Sequence, residues 1–242
     1  MWSALFWGFV GGAALLLGGA LGTFVKAPLR LVGLVMAFGS GVLISALAFE
    51  LTHEAYTRGG PWDVVVGLTL GALVFFAGDW VIDHRGGEHR KSATGKQAGG
   101  SGAAIVLGSL LDGIPESVAI GVSLLGGGAV GVAVVAAVFL SNVPESLSAS
   151  SGMRQAGDST KRIMGIWLAV TAVSALSAML GYVLLGGASP DLVAAIQAFA
   201  AGAILTMLAD TMLPEAVEHS GAVVGLATVG GFASAFLLSM AG

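Results

Sequence analysis

AFGSGVLISALAFELTHEA, residues 37–55, recurs further along the chain as AFAAGAILTMLADTMLPEA, residues 198–216. Without gaps, at an offset of 161, seven of 19 positions are identical, and several others exchange Leu for Ile or Ser for Thr. The same offset lays residues 2–25 on 163–186. Each is an apolar stretch near the length of about 20 residues that an α-helix needs to cross a bilayer's hydrocarbon core. Eight such stretches can be read: 2–25, 31–51, 63–83, 103–125, 129–151, 163–186, 191–213 and 221–241. The first three are copied by the last three, with two in between. A displacement of five helices is odd, so the copies lie in opposite orientations. Such a 3+2+3 inverted repeat is an arrangement of secondary transporters, whose sites sit near the midplane. The competing explanation is chance similarity between helices rich in Ala and Gly.

Composition agrees with a membrane protein. The 242 residues are 56% hydrophobic and 10% charged, with 39 glycines and no cysteine; a soluble domain carries about a quarter charged residues. Without cysteine there is no disulfide framework, iron–sulfur cluster or thiolate metal site. A net charge of −4 lacks the basic footprint of a nucleic-acid binder, and a chain this apolar is not of the disordered class. The period-two alternation of a membrane barrel is missing. The N-terminal stretch, long and with no positive charge before it, reads as a span and not as a cleavable signal. The expected fold is an all-α polytopic membrane protein of eight transmembrane helices, a single transmembrane domain over residues 1–242. Repeat one covers 1–83, a cytoplasmic loop 84–101, a central helix pair 102–151 and repeat two 163–242. One set of loops receives Lys26, Arg30, Arg85, Arg90, Lys91, Lys96, Arg154, Lys161 and Arg162; the other receives Arg58 alone. The positive-inside rule makes the first side cytoplasmic, so both termini are expected outside the cell (plasma or inner) membrane.

The central pair carries the chemistry. SLLDGIPES (109–117) and FLSNVPES (139–146) each place proline, glutamate and serine deep inside an apolar segment. A charged carboxylate at mid-membrane costs about 2.5–3.5 kcal/mol on insertion scales. A mid-helix proline frees the carbonyl four residues earlier, here Leu111 and Leu140. Such groups persist in a bilayer only where protein or a water-lined cavity satisfies them. Asp112 and Glu116 share a helix face at i,i+4, as do Ser141 and Glu145. A short LGGGAV turn makes the helices antiparallel, and at 1.5 Å per residue the two motifs meet within about 3 Å in depth. Asp112, Glu116, Asn142 and Glu145 can therefore converge. No Lys or Arg lies in either span, so the three carboxylates must take up protons or bind a cation. Oxygen ligands without thiolate or local histidine favour a divalent metal. The alternative is that protonated carboxyls and proline kinks merely pack a helix hairpin.

The paired P-E-S motifs resemble the H-N-x-P-E-G and related P-E-G motifs in the fourth and fifth helices of ZIP metal transporters. The resemblance extends over nearly the whole chain through the eight spans, the outside termini, the 3+2+3 repeat and the polar loop between helices three and four. It implies uptake of zinc, iron, manganese, cobalt, cadmium or similar divalent ions into the cytosol, bound between helices four and five, with an elevator-like or rocking motion giving alternating access. Glu116 and Glu145 match the two motif glutamates that bridge metal, and Asn142 matches the polar position three before the second. This chain departs from the pattern at Asp112, where the family usually has histidine, and at Gly113, often asparagine. Ser141 stands for His or Gln, and Ser117 and Ser146 stand for glycines. The stretch 163–186 has no acidic residue to bridge a second metal. Losing imidazole hardens the site toward Mn²⁺ or Fe²⁺, although carboxylates also bind zinc.

The repeat leads to the expectation of a polar vestibule on each face. Span two ends outside with Glu50, His53 and Glu54; span seven ends in the cytoplasm with Asp210, Glu215, Glu218 and His219. Acidic groups at a mouth concentrate and steer cations, though helix ends emerging into water are ordinarily polar. Asp210, about one turn inside its helix, is expected to line the path; Asp79 and Asp83 are expected to be solvated. The loop 83–100, with His84 and His89, reads as a flexible basic linker or a metal-sensing segment. Spacings such as Gly8/Gly12, Gly18/Gly22 and Gly67/Gly71 fit close helix packing. The expected partners are divalent ions as cargo and the lipid bilayer, with no nucleic acid and no prosthetic group; a homodimer is allowed. Two rivals stand beside a permease: a transport-inactive or metal-sensing relative, and a membrane enzyme. The enzyme has no HExxH, GxSxG or phosphate-loop motif to support it.

Overall fold

Apolar side chains surround nearly every helix, so the small residues decide which faces approach one another. The computed structural model describes residues 1–25, 27–87, 102–126 and 131–241. Lys26, His89, Arg90, Lys91, Lys96 and most of the expected cytoplasmic loop lie outside the described residues. The described chain is helical, with no strand among the described residues.

Helix α1 is Trp2–Phe24 and α2 is Leu29–Ala46; a π-helical segment, Leu47–Thr52, continues α2 into α3, His53–Gly59. Next comes α4, Pro61–Ile82, which ends in a second π segment, Asp83–Gly87. The central helices are α5, Gly102–Ser123, and α6, Val132–Gln155, each unbroken through its internal proline, Pro115 and Pro144. Helix α7 is Thr160–Leu185 and α8 is Pro190–Met207; a π segment, Leu208–Met212, leads to α9, Leu213–Ser220, and a 3-10 turn to α10, Val224–Ala241. Ser159 and Ser189 cap α7 and α8, their hydroxyls accepting from the backbone N–H of Arg162 and Leu192 at 3.3 Å. Such caps satisfy helix-end donors that have no partner within the helix.

Seven segments of the described residues are long and apolar enough to cross a membrane. Two expected spans, 191–213 and 221–241, fall within one of them, Pro190–Met240, because the chain stays helical through α9 and the 3-10 turn. The protein is therefore an all-α, multi-pass membrane protein.

The offset of 161 seen in the sequence recurs in the elements. It carries Leu29–Ala46 onto Pro190–Met207 end for end, and the π segment at 47–52 onto that at 208–212. It also carries Gly60 onto Gly221, whose φ values are 84° and 64°; glycine alone adopts these without a Cβ penalty. Packing follows the same rule once α5 and α6 are exchanged. The neighbours α2 and α10 correspond to α8 and α4, α1 and α6 to α7 and α5, α2 and α6 to α8 and α5, and α3 and α8 to α9 and α2. Helices α1 and α7 pack on each other in opposite directions: Gly8 meets Ala178, Gly12 meets Ser174 and Thr171, and Gly19 meets Trp167.

Glycine makes these approaches possible. A Cβ on Gly18 would stand 2.1 Å from the Val143 carbonyl oxygen, and one on Gly22 2.2 Å from that of Leu147. One face of α1 thus seats α6 while Gly8, Gly12 and Gly19 seat α7. Gly67 and Gly71 likewise bring α4 against the α8 backbone at Ala195 and Phe199. All three glycine spacings singled out in the sequence are helix contacts, in keeping with small-residue packing inside membranes.

Candidate functional site

The two P-E-S motifs lie on helices that touch sparingly. Helix α6 packs chiefly on α1 and α2, and α5 on α7 and α8. The two helices meet at their connecting end, where the Gly131 N–H donates to the Ser123 hydroxyl at 3.3 Å, and again at the motifs, where the Ser141 hydroxyl donates to Glu116 Oε1 at 3.4 Å. Two contacts in that order make the pair antiparallel. From the Glu116–Ser141 contact, Asp112 lies one turn back along α5 and Glu145 one turn on along α6, so both lie further in the same direction.

All three carboxylates are removed from solvent: Asp112 is 2% exposed, Glu116 1% and Glu145 2%. Ser117, Ser141, Asn142 and Ser146 are buried with them. The hydroxyls do more than fill space. Ser141 also donates to the Val138 carbonyl at 3.0 Å, and Ser146 to those of Asn142 at 2.7 Å and Val143 at 3.2 Å. These bonds serve backbone around Pro144. The Leu140 carbonyl, which that proline deprives of its helical donor, faces α2, where a Cβ on Gly39 would stand 3.1 Å away.

Asn142 is turned toward α1, its Nδ2 donating to the Gly11 carbonyl at 3.3 Å. One of its two amide N–H donors is thereby used, and its carbonyl oxygen is the atom of the side chain able to accept. Helix α7 contributes hydroxyls in place of an acid. Thr171 donates to the Gly12 carbonyl at 2.8 Å, and Ser174 is buried beside Gly113, next to Asp112, where an added Cβ would meet Ser174 Oγ at 3.4 Å. Among the described residues, no three His, Cys, Asp or Glu side chains form a group able to hold one metal ion. What the structure brings together is Glu116 with Ser141, with Asp112 and Glu145 on the same faces.

The residues expected at the mouths disperse. Glu50, in the π segment, accepts from Ser239 of α10 at 2.6 Å, while His53 is exposed. Glu54 pairs with Arg58 one turn on and accepts from Gln197 Nε2 of α8 at 2.7 Å. At the other end Glu215 accepts from Ser148 of α6 at 2.5 Å and faces His219 Nε2 at 3.6 Å. Glu218 is exposed. Asp210 is exposed in its π segment. Asp79 departs from expectation: it is buried, while Asp83 is half-buried. The π segment Asp83–Gly87 extends the helix past Asp79, so that residue is not at a solvated end. His84 is exposed, with Nδ1 2.8 Å from the Trp80 carbonyl oxygen.

Sequence reading passed over Gln197 and Ser148, both 0% exposed. Gln197 carried a signal, since its repeat counterpart is Met36 and a buried amide opposite a thioether marks a private polar contact. Ser148, within the run SLSASS, carried none.

The fold is that of a helical multi-pass membrane protein, with the carboxyl side chains of Asp112, Glu116 and Glu145 buried in its interior. Compared with known proteins, the chain matches no family model and no curated protein.

Proposed function

We propose that the protein is a ZIP-like permease that carries divalent metal cations into the cytosol through the carboxylates of α5 and α6. The observation that carries this reading is the contact of Glu116 with Ser141, deep inside two helices that exchange under the internal correspondence and hold no basic residue across 102–153. Carboxylates buried in a stretch, 102–153, that supplies no Lys, Arg or His suit a cation that arrives and leaves. Glu116 and Glu145 are the principal ligands, Asp112 takes the position of the family's histidine, and Asn142 and Ser141 offer neutral oxygens. With oxygen donors only, the cargo is a hard divalent ion such as Mn²⁺ or Fe²⁺ ahead of Zn²⁺.

In this reading Pro190–Met240 crosses twice, giving eight crossings in a 3+2+3 inverted repeat with both termini extracytoplasmic. Its 51 residues suffice for two crossings. The opposed directions of α1 and α7, offset counterparts, support the inversion. The charge asymmetry of the loops supports the orientation.

Purified protein in vesicles, assayed for uptake of Mn²⁺, Fe²⁺, Co²⁺, Zn²⁺ and Cd²⁺ in competition, tests the proposal. Saturable uptake that is lost in both Glu116→Ala and Glu145→Ala is the expected result. Near-normal uptake in both variants overturns the site. No uptake of any ion by the wild type overturns the permease in favour of a sensing or inactive relative.

A further inference from the structure

The internal correspondence pairs Glu54 with Glu215 and Arg58 with His219, each acid one turn before its base. Each acid is also tied to a buried polar side chain of another helix, but the ties are not counterparts. Glu54 is held by Gln197 of α8, and α3 already packs on α8, so this tie lies within one packed unit. Glu215 is held by Ser148 of α6, the helix that carries Glu145 three residues earlier. Helices α6 and α9 each pack on α2 but, among the described residues, scarcely on each other, so that tie bridges two helices that otherwise share only a neighbour.

Neither tie can be copied at the opposite mouth. The offset of 161 replaces Gln197 by Met36, and the offset of 29 that superposes the two P-E-S motifs replaces Ser148 by Ala119. A thioether and a methyl group cannot take the place of an amide or a hydroxyl donating to a carboxylate. From this we infer that Ser148–Glu215 is a one-sided latch, closed in this structure, which breaks when α6 moves relative to α9. Glu54–Gln197–Arg58 is a fixed brace that stays made in both conformations. The inference builds on the alternating access of the permease reading and says which mouth carries the switching contact.

The absence of cysteine allows single-cysteine reporters without background. Thr52→Cys marks the mouth of Glu54, and Ser151→Cys, one turn beyond Ser148 on α6, marks the mouth of Glu215. Maleimide labelling rates are read in metal-free protein in detergent. Hydrogen bonds to charged groups are among the stronger ones, so Ser148→Ala should raise labelling at Ser151→Cys by about tenfold and lower it at Thr52→Cys. Ser148→Thr, which keeps the hydroxyl, should restore both rates. Gln197→Met, which installs the counterpart residue, should lower the melting temperature while leaving the two rates in their wild-type ratio. Unchanged labelling in Ser148→Ala overturns the latch, as does a Gln197→Met variant that shifts the ratio in the way Ser148→Ala does. Labelling needs no transport, so failed uptake by the wild type would remove the permease reading without touching this result.

Discussion

Glu116 and Glu145 lie where a carboxylate is hardest to keep, within helices and away from solvent. A neutral isostere removes the charge while keeping shape, so Glu116→Gln and Glu145→Gln should leave the melting temperature of the metal-free protein unchanged or raised. Even residues that only support a metal ligand lose on the order of 10–100-fold on mutation, and the ligands themselves should lose at least that in uptake. Thermal denaturation beside vesicle uptake checks the pair of outcomes; a large fall in both would indicate a packing role. Asp112→His restores a nitrogen donor at the position that resembles the family's histidine. Softer donors favour zinc over manganese, so competition assays should show this variant shifted toward Zn²⁺. Acidification acts at the same residues: ligating carboxylates must be deprotonated, so uptake should be present at neutral pH and decline as pH falls. Uptake that rises as pH falls would contradict direct carboxylate ligation.

At the scale of elements, glycine positions set how closely helices approach, and a methyl group serves as the gauge. On Gly18 it would collide with the Val143 carbonyl beside Pro144, whereas on Gly113 it meets only Ser174 Oγ at ordinary contact distance. Gly18→Ala should therefore cost about 1–3 kcal/mol as an overpacking change, and Gly113→Ala little, both read as thermal stability in detergent. Gly60 and Gly221 are measured against backbone strain instead. Each has a positive φ with extended ψ, a region held almost only by glycine, and open space where a Cβ would be, so alanine at either should cost about 1–3 kcal/mol. Equal costs at the two positions would reflect their equivalence in the repeat; a cost at one alone would argue that the two turns are not the same device. The π segments are where element-scale reading of the sequence fell short. Glu50 and Asp210 fall within helical stretches by hydropathy, yet the widened turns at Leu47–Thr52 and Leu208–Met212 redirect them. Glu50 thereby reaches α10, and no residue type in LAFELT or LADTM announces that.

At the scale of the whole molecule, the expected orientation has a direct check. Ser3→Cys should react with an impermeant maleimide in intact cells, and Ala156→Cys, on the opposite side, only after permeabilisation; both residues are exposed. The sequence by itself determined the helical membrane class, the offset of 161 between two similar stretches and the two acidic motifs inside apolar segments. Each of these is local: span length, composition and period are written in consecutive residues, and a charge inside an apolar run stands out because almost nothing else there is charged. Tertiary structure decided which helices are neighbours. Turn length argued that α5 and α6 run antiparallel side by side, but the glycine faces of α1 draw α6 and α7 onto that helix, and α6 packs far more on α1 and α2 than on α5. It also decided the partners of Glu54 and Glu215, which look equivalent in sequence and end on Gln197 and Ser148. The physical reason is that a hydrogen bond between helices depends on rotation and separation at a single contact. Those are set by the fit of small residues along entire faces, and no stretch of sequence contains both sides of that fit.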